Sequence, residues 1–238
     1  MRPLSPETHA NKYWQKFTNY NFVAKIQTAA IVAAELGQAV RTLPVAFIKQ
    51  ADNFVLCAVM SLSEGHNLYV SPDGRWLGGY VPAAFRGYPF SLQGDKLYID
   101  ENSGLISDTV GEALYDNGEL SRPVQEVMNF LKQIEKSRTV TDLAVAALSN
   151  AGCITKWQVK DKNVTGLYRT DEAKLNTLDD QTFLKLRKTR SIAIAYAQLF
   201  SMANIQIFDK LVKMREQMQP QEVDIETIFG EDDLITFD

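Results

Sequence analysis

Two apolar runs, Val45-Ala46-Phe47-Ile48 and Phe54-Val55-Leu56-Cys57-Ala58-Val59-Met60, stand on either side of the polar spacer Gln50-Ala51-Asp52-Asn53. Runs this short and this rich in β-branched and aromatic residues, joined by a few turn-formers, read as the two strands of a hairpin. That hairpin commits the first half of the chain to a sheet, and the neighbouring sequence continues the theme. Asn67-Leu68-Tyr69-Val70 reads as a third strand, followed by the turn Ser71-Pro72-Asp73-Gly74, where Pro72 pre-sets one dihedral and Gly74 supplies a positive φ. Leu97-Tyr98-Ile99 is a further short strand, and Ala113-Leu114-Tyr115 runs into the turn Asp116-Asn117-Gly118. Ahead of the hairpin, residues 1–22 form an arm without clear period. Thr28 to Arg41, alanine-rich with Val32, Leu36 and Val40 at helical spacing, predicts a short amphipathic helix ended by Leu43-Pro44.

Beyond residue 120 the period changes. Ser121 stands where a helix cap belongs, with Pro123 in the first turn. Val124, Val127, Met128, Leu131 and Ile134 then mark one face of a helix that extends through Leu148 to a stop at Gly152. Ile154 to Val159 and Val164 to Tyr168 predict a second hairpin. Asp171 and Asp179 read as caps of two following helices, the second leading to a long apolar helix from about Ile192 to Met218, closed by Pro220. The expected fold is therefore α+β, a strand-rich N-terminal half (43–120) packed against a helical C-terminal half (121–220) in a single integrated domain over residues 1–220. Residues 221–238 form a separate tail in which seven acids and no basic residue alternate with apolar side chains such as Val223, Ile225, Phe229 and Phe237. Such a mixture either closes back on its own domain or orders on a partner.

Chemistry is harder to find than fold. A net charge of −4 over 238 residues argues against a protein that grips phosphate backbones, so no nucleic-acid partner is expected. Cys57 and Cys153 are the only cysteines and His9 and His66 the only histidines, too few and too scattered for a disulfide framework, a zinc site or a histidine-based triad. No metal or cofactor site is predicted, and no catalytic residue. The N-terminus has no apolar run of the signal-peptide kind, and no uninterrupted apolar window of membrane-spanning length occurs. The nearest, Ile192 to Phe208, is broken by Gln198, Ser201, Asn204 and Gln206 and reads as a core helix. A cytoplasmic protein is the default expectation. Lys185-Leu186-Arg187-Lys188-Thr189-Arg190 is the one basic cluster, read as a solvated helix face or as a dock for an acidic partner, the chain's own tail included.

One segment stands apart. Gly79-Tyr80-Val81-Pro82-Ala83-Ala84-Phe85-Arg86-Gly87-Tyr88-Pro89-Phe90 packs four aromatics, two prolines and an arginine into twelve positions. Its prolines hold the backbone extended or turning, so it is either a core-forming or a docking segment, according to whether it is buried. With the preceding Arg75 and Trp76 it supplies the candidate interaction residues Arg75, Trp76, Tyr80, Phe85, Arg86, Tyr88 and Phe90, to which the tail adds Phe229 and Phe237. Arg75 and Arg86 are candidates for stacking on Trp76, Tyr80 or Tyr88, or for facing a ligand carboxylate.

Asn67-Leu68-Tyr69-Val70 leading through Asp73-Gly74-Arg75-Trp76 into Gly79-Tyr80-Val81-Pro82 and Arg86-Gly87-Tyr88-Pro89-Phe90 resembles the bacterial SapC family. So do Leu97-Tyr98-Ile99-Asp100-Glu101, Ala113-Leu114-Tyr115-Asp116, and the run from Gly166-Leu167-Tyr168-Arg169-Thr170-Asp171 towards Tyr196-Ala197-Gln198-Leu199-Phe200. The likeness covers about Asn21 to Leu211; Gly87 departs from it, standing where a second arginine is expected. The resemblance implies a surface-layer-associated label and a genomic setting beside flavin-dependent halogenase-like proteins, and it carries no catalytic residues. It points to a non-catalytic accessory protein that works with a protein partner, a halogenase-like flavoprotein among the candidates. The alternatives are a surface-layer structural protein exported by an uncleaved signal to the cell surface, and a small-ligand binder or unrecognised enzyme built around Arg75, Arg86 and the nearby tyrosines.

Overall fold

The computed structural model describes residues 1–159 and 166–218. Its centre is the expected hairpin. Strand β1 (Thr28–Ala30) precedes β2 (Val45–Gln50) and β3 (Asn53–Val59), which pair antiparallel from Val45 opposite Ala58 to Gln50 opposite Asn53. β4 (Phe90–Gln93) and β5 (Lys96–Ile99) make a second hairpin, extended by Arg2–Pro3 on the free side of β5. β6 (Ile154–Lys156) and β7 (Leu167–Thr170) return from the second half of the chain to complete the main sheet, in the order β6-β7-β2-β3-β1. Every pairing in that sheet is antiparallel. A smaller sheet sets Tyr13–Trp14 between Ile106–Ser107 and Glu112–Ala113, and Tyr115–Asp116 pairs with Glu119–Leu120 across the Asn117-Gly118 turn.

Besides a single helical turn at Pro6–His9, the helices among the described residues are α1 (Leu36–Ala39), α2 (Ala83–Arg86), α3 (Arg122–Asn150), α4 (Glu172–Asn176), α5 (Asp180–Lys188), α6 (Ser191–Ser201) and α7 (Ile207–Met218). The architecture is α+β, with strands gathered in the first half and helices in the second. Consecutive residues Val45, Ala46 and Phe47 are all fully buried, so the sheet is covered on both faces there. α3 packs against β3, and α6 against β7 and β2. The main core gathers Phe47, Leu56, Met60, Tyr69, Val145, Leu148, Ile194 and Phe208, while a smaller one holds Trp14, Phe90, Leu97, Ile99, Leu114 and Val124. The 29-residue α3 serves both, placing Val124 in the small core and Ala144, Val145 and Leu148 in the main one. It ends where expected, with Gly152 at φ 68°.

Asp171 and Asp179 cap as predicted. The amide of Lys174 donates to Asp171 Oδ1 at 3.0 Å, and that of Thr182 to Asp179 Oδ1 at 2.9 Å. Ser121 takes the cap position of α3, but its hydroxyl donates to the carbonyl of Ala113 instead of accepting from the helix. The two cysteines are buried free thiols, and burial pushes that of Cys57 up to about 12.

Three expectations are corrected. Thr28 to Arg41 is not one helix: Thr28–Ala30 pairs with β3 as an edge strand, and only Leu36–Ala39 turns as α-helix after a 3₁₀ turn at Ala33–Glu35. Alanine's helix preference is small per residue, and the unpaired edge of β3 outweighs it. Asn67–Val70 is a turn, not a strand, since buried Asn67 spends its side chain locally. Its amide nitrogen donates to Val23 O and its oxygen accepts from the amide of Tyr69. The long C-terminal helix is interrupted by a 3₁₀ segment at Met202–Gln206, where Asn204 Nδ2 donates to the carbonyls of Val40 and Leu43. By length and composition alone, Ser191–Met218 is long and apolar enough to cross a membrane, with 33% of its most apolar window buried.

Candidate interaction site

The aromatic segment turns out to be divided between core and surface. Phe85 and Phe90 are buried, Phe90 edge-on to Trp14 at 5.0 Å between ring centroids. Trp76 is half-buried, stacked on Tyr69 at 5.4 Å, and its indole N–H donates to the carbonyl of Tyr80. Tyr88 is half-buried, stacked parallel on Phe22 of the N-terminal arm at 4.0 Å, with its hydroxyl 3.3 Å from Asp100 Oδ2. Burial and the neighbouring Asp100 charge hold the Tyr88 phenol above its ordinary range. Arg75 is exposed and joined to Asp73 beside it, Nε to Oδ2 at 2.6 Å, so it neither stacks on the aromatics nor faces the rest of the segment. Phe229 and Phe237 lie outside the described residues.

What remains at the surface is built around Arg86, and its foundation is a buried carboxylate. Glu35 sits in the 3₁₀ turn before α1, only 7% exposed. One oxygen accepts from the amide of Val32 at 2.9 Å; the other accepts from the amide of Ala83 and from the Tyr80 hydroxyl, both at 2.8 Å. Three donors on one buried carboxylate replace the water it lost, and they fasten the start of α2 to the turn before α1. Tyr80 is thereby fixed, with its phenol held well above the ordinary range by burial and by the Glu35 charge.

Arg86, at the end of α2, donates from Nη2 to that same Tyr80 oxygen. Its guanidinium carbon lies 5.2 Å from the centre of the Tyr80 ring and 5.7 Å from that of Phe130 on α3, within cation–π range of both. The group is exposed and forms no ion pair with an acid among the described residues. Beside it opens a hollow of about 310 Å³ lined by Trp14, Lys16, Pro123, Glu126, Val127 and Phe130 together with Arg86. Glu126 is engaged by Arg122. The indole N–H of Trp14, a side chain only 3% exposed, finds no acceptor among the described residues.

Of the residues singled out by sequence, Tyr80 and Arg86 therefore meet at one surface point, Trp76, Phe85 and Phe90 pack behind it, Tyr88 packs on the N-terminal arm, and Arg75 stands apart. Phe130 and Glu35 were not expected. Phe130, three residues after Val127 and four before Ile134, extends the edge of the apolar face that Val124, Val127, Met128, Leu131 and Ile134 mark, and that spacing was the available signal. Glu35 gave none, since a single acid in an alanine-rich stretch reads as solvated. Gly87, the departure from the expected arginine, lies against α3, where an added Cβ would come 2.7 Å from Leu131 Cδ2. A side chain at that position has to push Leu131 aside.

The family model described as SapC matches residues 4–207, taking in the N-terminal arm and ending before the acidic tail. No curated protein and no solved structure matches the chain significantly.

Proposed function

The chain belongs to the SapC family, and from that premise we propose that it is a non-catalytic accessory protein that engages a protein partner through the surface centred on Arg86. The observation that carries this reading is the state of Arg86: exposed, unpaired with any acid among the described residues, yet held in place by the Tyr80 hydroxyl and two aromatic rings. Arginine and aromatic side chains supply most of the binding energy at protein interfaces. A guanidinium already fixed through Tyr80 to a buried Glu35 loses little freedom on docking, and that lowers the cost of association. The partner surface that fits is an acidic residue for Arg86 and Lys16 beside an apolar side chain for the hollow over Phe130 and Val127. The Glu35 carboxylate, with both oxygens already accepting, is suited to structure and not to proton transfer.

A flavin-dependent halogenase-like protein is the partner that the family's setting suggests. Tagged chain recovered from gently lysed native host is expected to bring down one protein in near-stoichiometric amount, and the Arg86→Ala chain to lose it. Equal recovery by both chains removes Arg86 from the interface. Recovery of the chain alone from the cell-envelope fraction transfers the reading to a structural role at the surface layer.

A further inference from the structure

α1, α3 and α6 enclose an open groove of about 590 Å³ that shares no lining residue with the hollow beside Arg86. α3 contributes Gln133, Lys136, Ser137 and Val140, and α6 with the residue before it contributes Arg190, Ala193, Ile194 and Ala197. The α3 set follows the i, i+3, i+4, i+7 spacing that puts side chains on one helix face, and Ala193, Ile194 and Ala197 share a face of α6, so the two helices wall the groove. The floor, from Ala33 to Val40, is made of small and aliphatic residues, among them Gly37. The sequence gives no warning of this site, because each wall alone is an ordinary amphipathic stripe.

The charge on the rim is of one sign. Lys136 and Arg190 are exposed, one on each wall, and neither forms an ion pair or a side-chain hydrogen bond among the described residues. Among the described residues no acid lines the groove. Arg190 also holds its place in a left-handed backbone conformation, φ 63°, that glycine would take without strain. The volume is that of a small-molecule site, and an apolar trough with only cations at its edge is complementary to a ligand with a hydrocarbon body and an anionic head. We propose that this groove binds a single-chain amphipathic carboxylate of the fatty-acid class, its chain along Gly37, Val140, Ala193 and Ala197 and its carboxylate paired with Lys136 or Arg190. This site shares no lining residue with the Arg86 hollow and is tested by its own substitutions.

Decanoate is the probe, titrated into the full chain by calorimetry, with butyrate and decyltrimethylammonium as controls for chain length and head-group charge. Saturable binding of decanoate is expected, with butyrate and the cationic homologue at least about tenfold weaker, the loss of a paired charge or of several buried methylenes each being of that order. Gly37→Leu fills the groove without strain, since an added Cβ there meets nothing within 4 Å; it is expected to abolish binding while leaving the circular dichroism and melting transition intact. Arg190→Gly with Lys136→Gln is expected to weaken decanoate by about tenfold and to leave the cationic homologue unchanged. Absence of saturable binding by the full chain overturns the proposal, as does decanoate binding that Gly37→Leu leaves unaltered. A dimer that Gly37→Leu dissociates assigns the groove to a second copy and overturns it too.

Discussion

At the scale of single residues, Glu35 is the group on which the exposed site depends. Its carboxylate accepts from Val32, Tyr80 and Ala83 in a buried setting, so removing it leaves two backbone amides and a phenol without their acceptor. Glu35→Ala is expected to cost about 3–5 kcal/mol of stability, the range for breaking a buried charged network by deleting one partner. Urea titration reads it directly, and a cost below about 1 kcal/mol, that of one ordinary neutral bond, would show that the network is solvated. Asp179 makes a prediction with a sign. Hydrogen bonds from Thr182, that of its amide first, hold the Asp179 carboxyl below the usual carboxylate range. A group whose pKa is depressed on folding stabilises the fold above its unfolded value, near 4, and loses that contribution as pH falls through the folded one. Asp179→Asn keeps a cap without a titrating group, so its stability is expected to fall less steeply than that of the native chain below about pH 4. Parallel curves for the two chains would remove Asp179 from the acid response.

Among elements, α6 shows how far the sequence could be read and where it stopped. The polar positions Gln198 and Ser201 were visible in the sequence and both are buried, but their work was not legible there. β2 and β7 pair at Ile48–Leu167 and Phe47–Tyr168, and the same register would set Val45 opposite Thr170. There the strands part and the amide of Gln198 fills the gap, Nε2 donating to Val45 O at 3.1 Å and Oε1 accepting from Thr170 N at 2.8 Å. Ser201 Oγ accepts from Val45 N at 3.0 Å. A helix side chain thus completes the sheet ladder. Gln198→Leu, close in size, strands two buried backbone groups and is expected to cost about 2–4 kcal/mol by denaturant titration; a neutral result would mean that β2 and β7 can close directly. Local signals with a local mechanism were legible: the Gln50–Asn53 spacer, the Asn117-Gly118 turn, the Asp171 and Asp179 caps, the stop at Gly152. Thr28–Ala30 and Asn67–Val70 were misread because their conformations are decided by distant partners, β3 in one case and Val23 in the other. The α1–α3–α6 groove was invisible for the same reason.

Across the whole molecule, chain order and spatial order are interleaved. β6 and β7 come from the helical half yet form one edge of the main sheet, and α3 runs from the small core into the large one. The Arg86 surface lies where these parts converge, with α2 supplying the guanidinium, the turn before α1 its buried support, α3 the Phe130 ring and the N-terminal strand Trp14. The twelve-residue aromatic segment was legible as important, but its division into buried supports and one exposed cation depended on packing that no local pattern encodes. The groove with Lys136 and Arg190 has its own lining residues, so the two surfaces can be tested by separate substitutions. What most needs testing is Arg86 as the anchor of a protein interface. The most direct test is the dissociation constant between the chain and the partner it recovers from its host, measured by calorimetry for the native chain and for Arg86→Ala. For an anchor, at least about a thirtyfold weakening is expected, equivalent to the roughly 2 kcal/mol of an interface hot spot, with an unchanged melting transition. An affinity within about threefold of the native value, well short of a hot-spot effect, would contradict it.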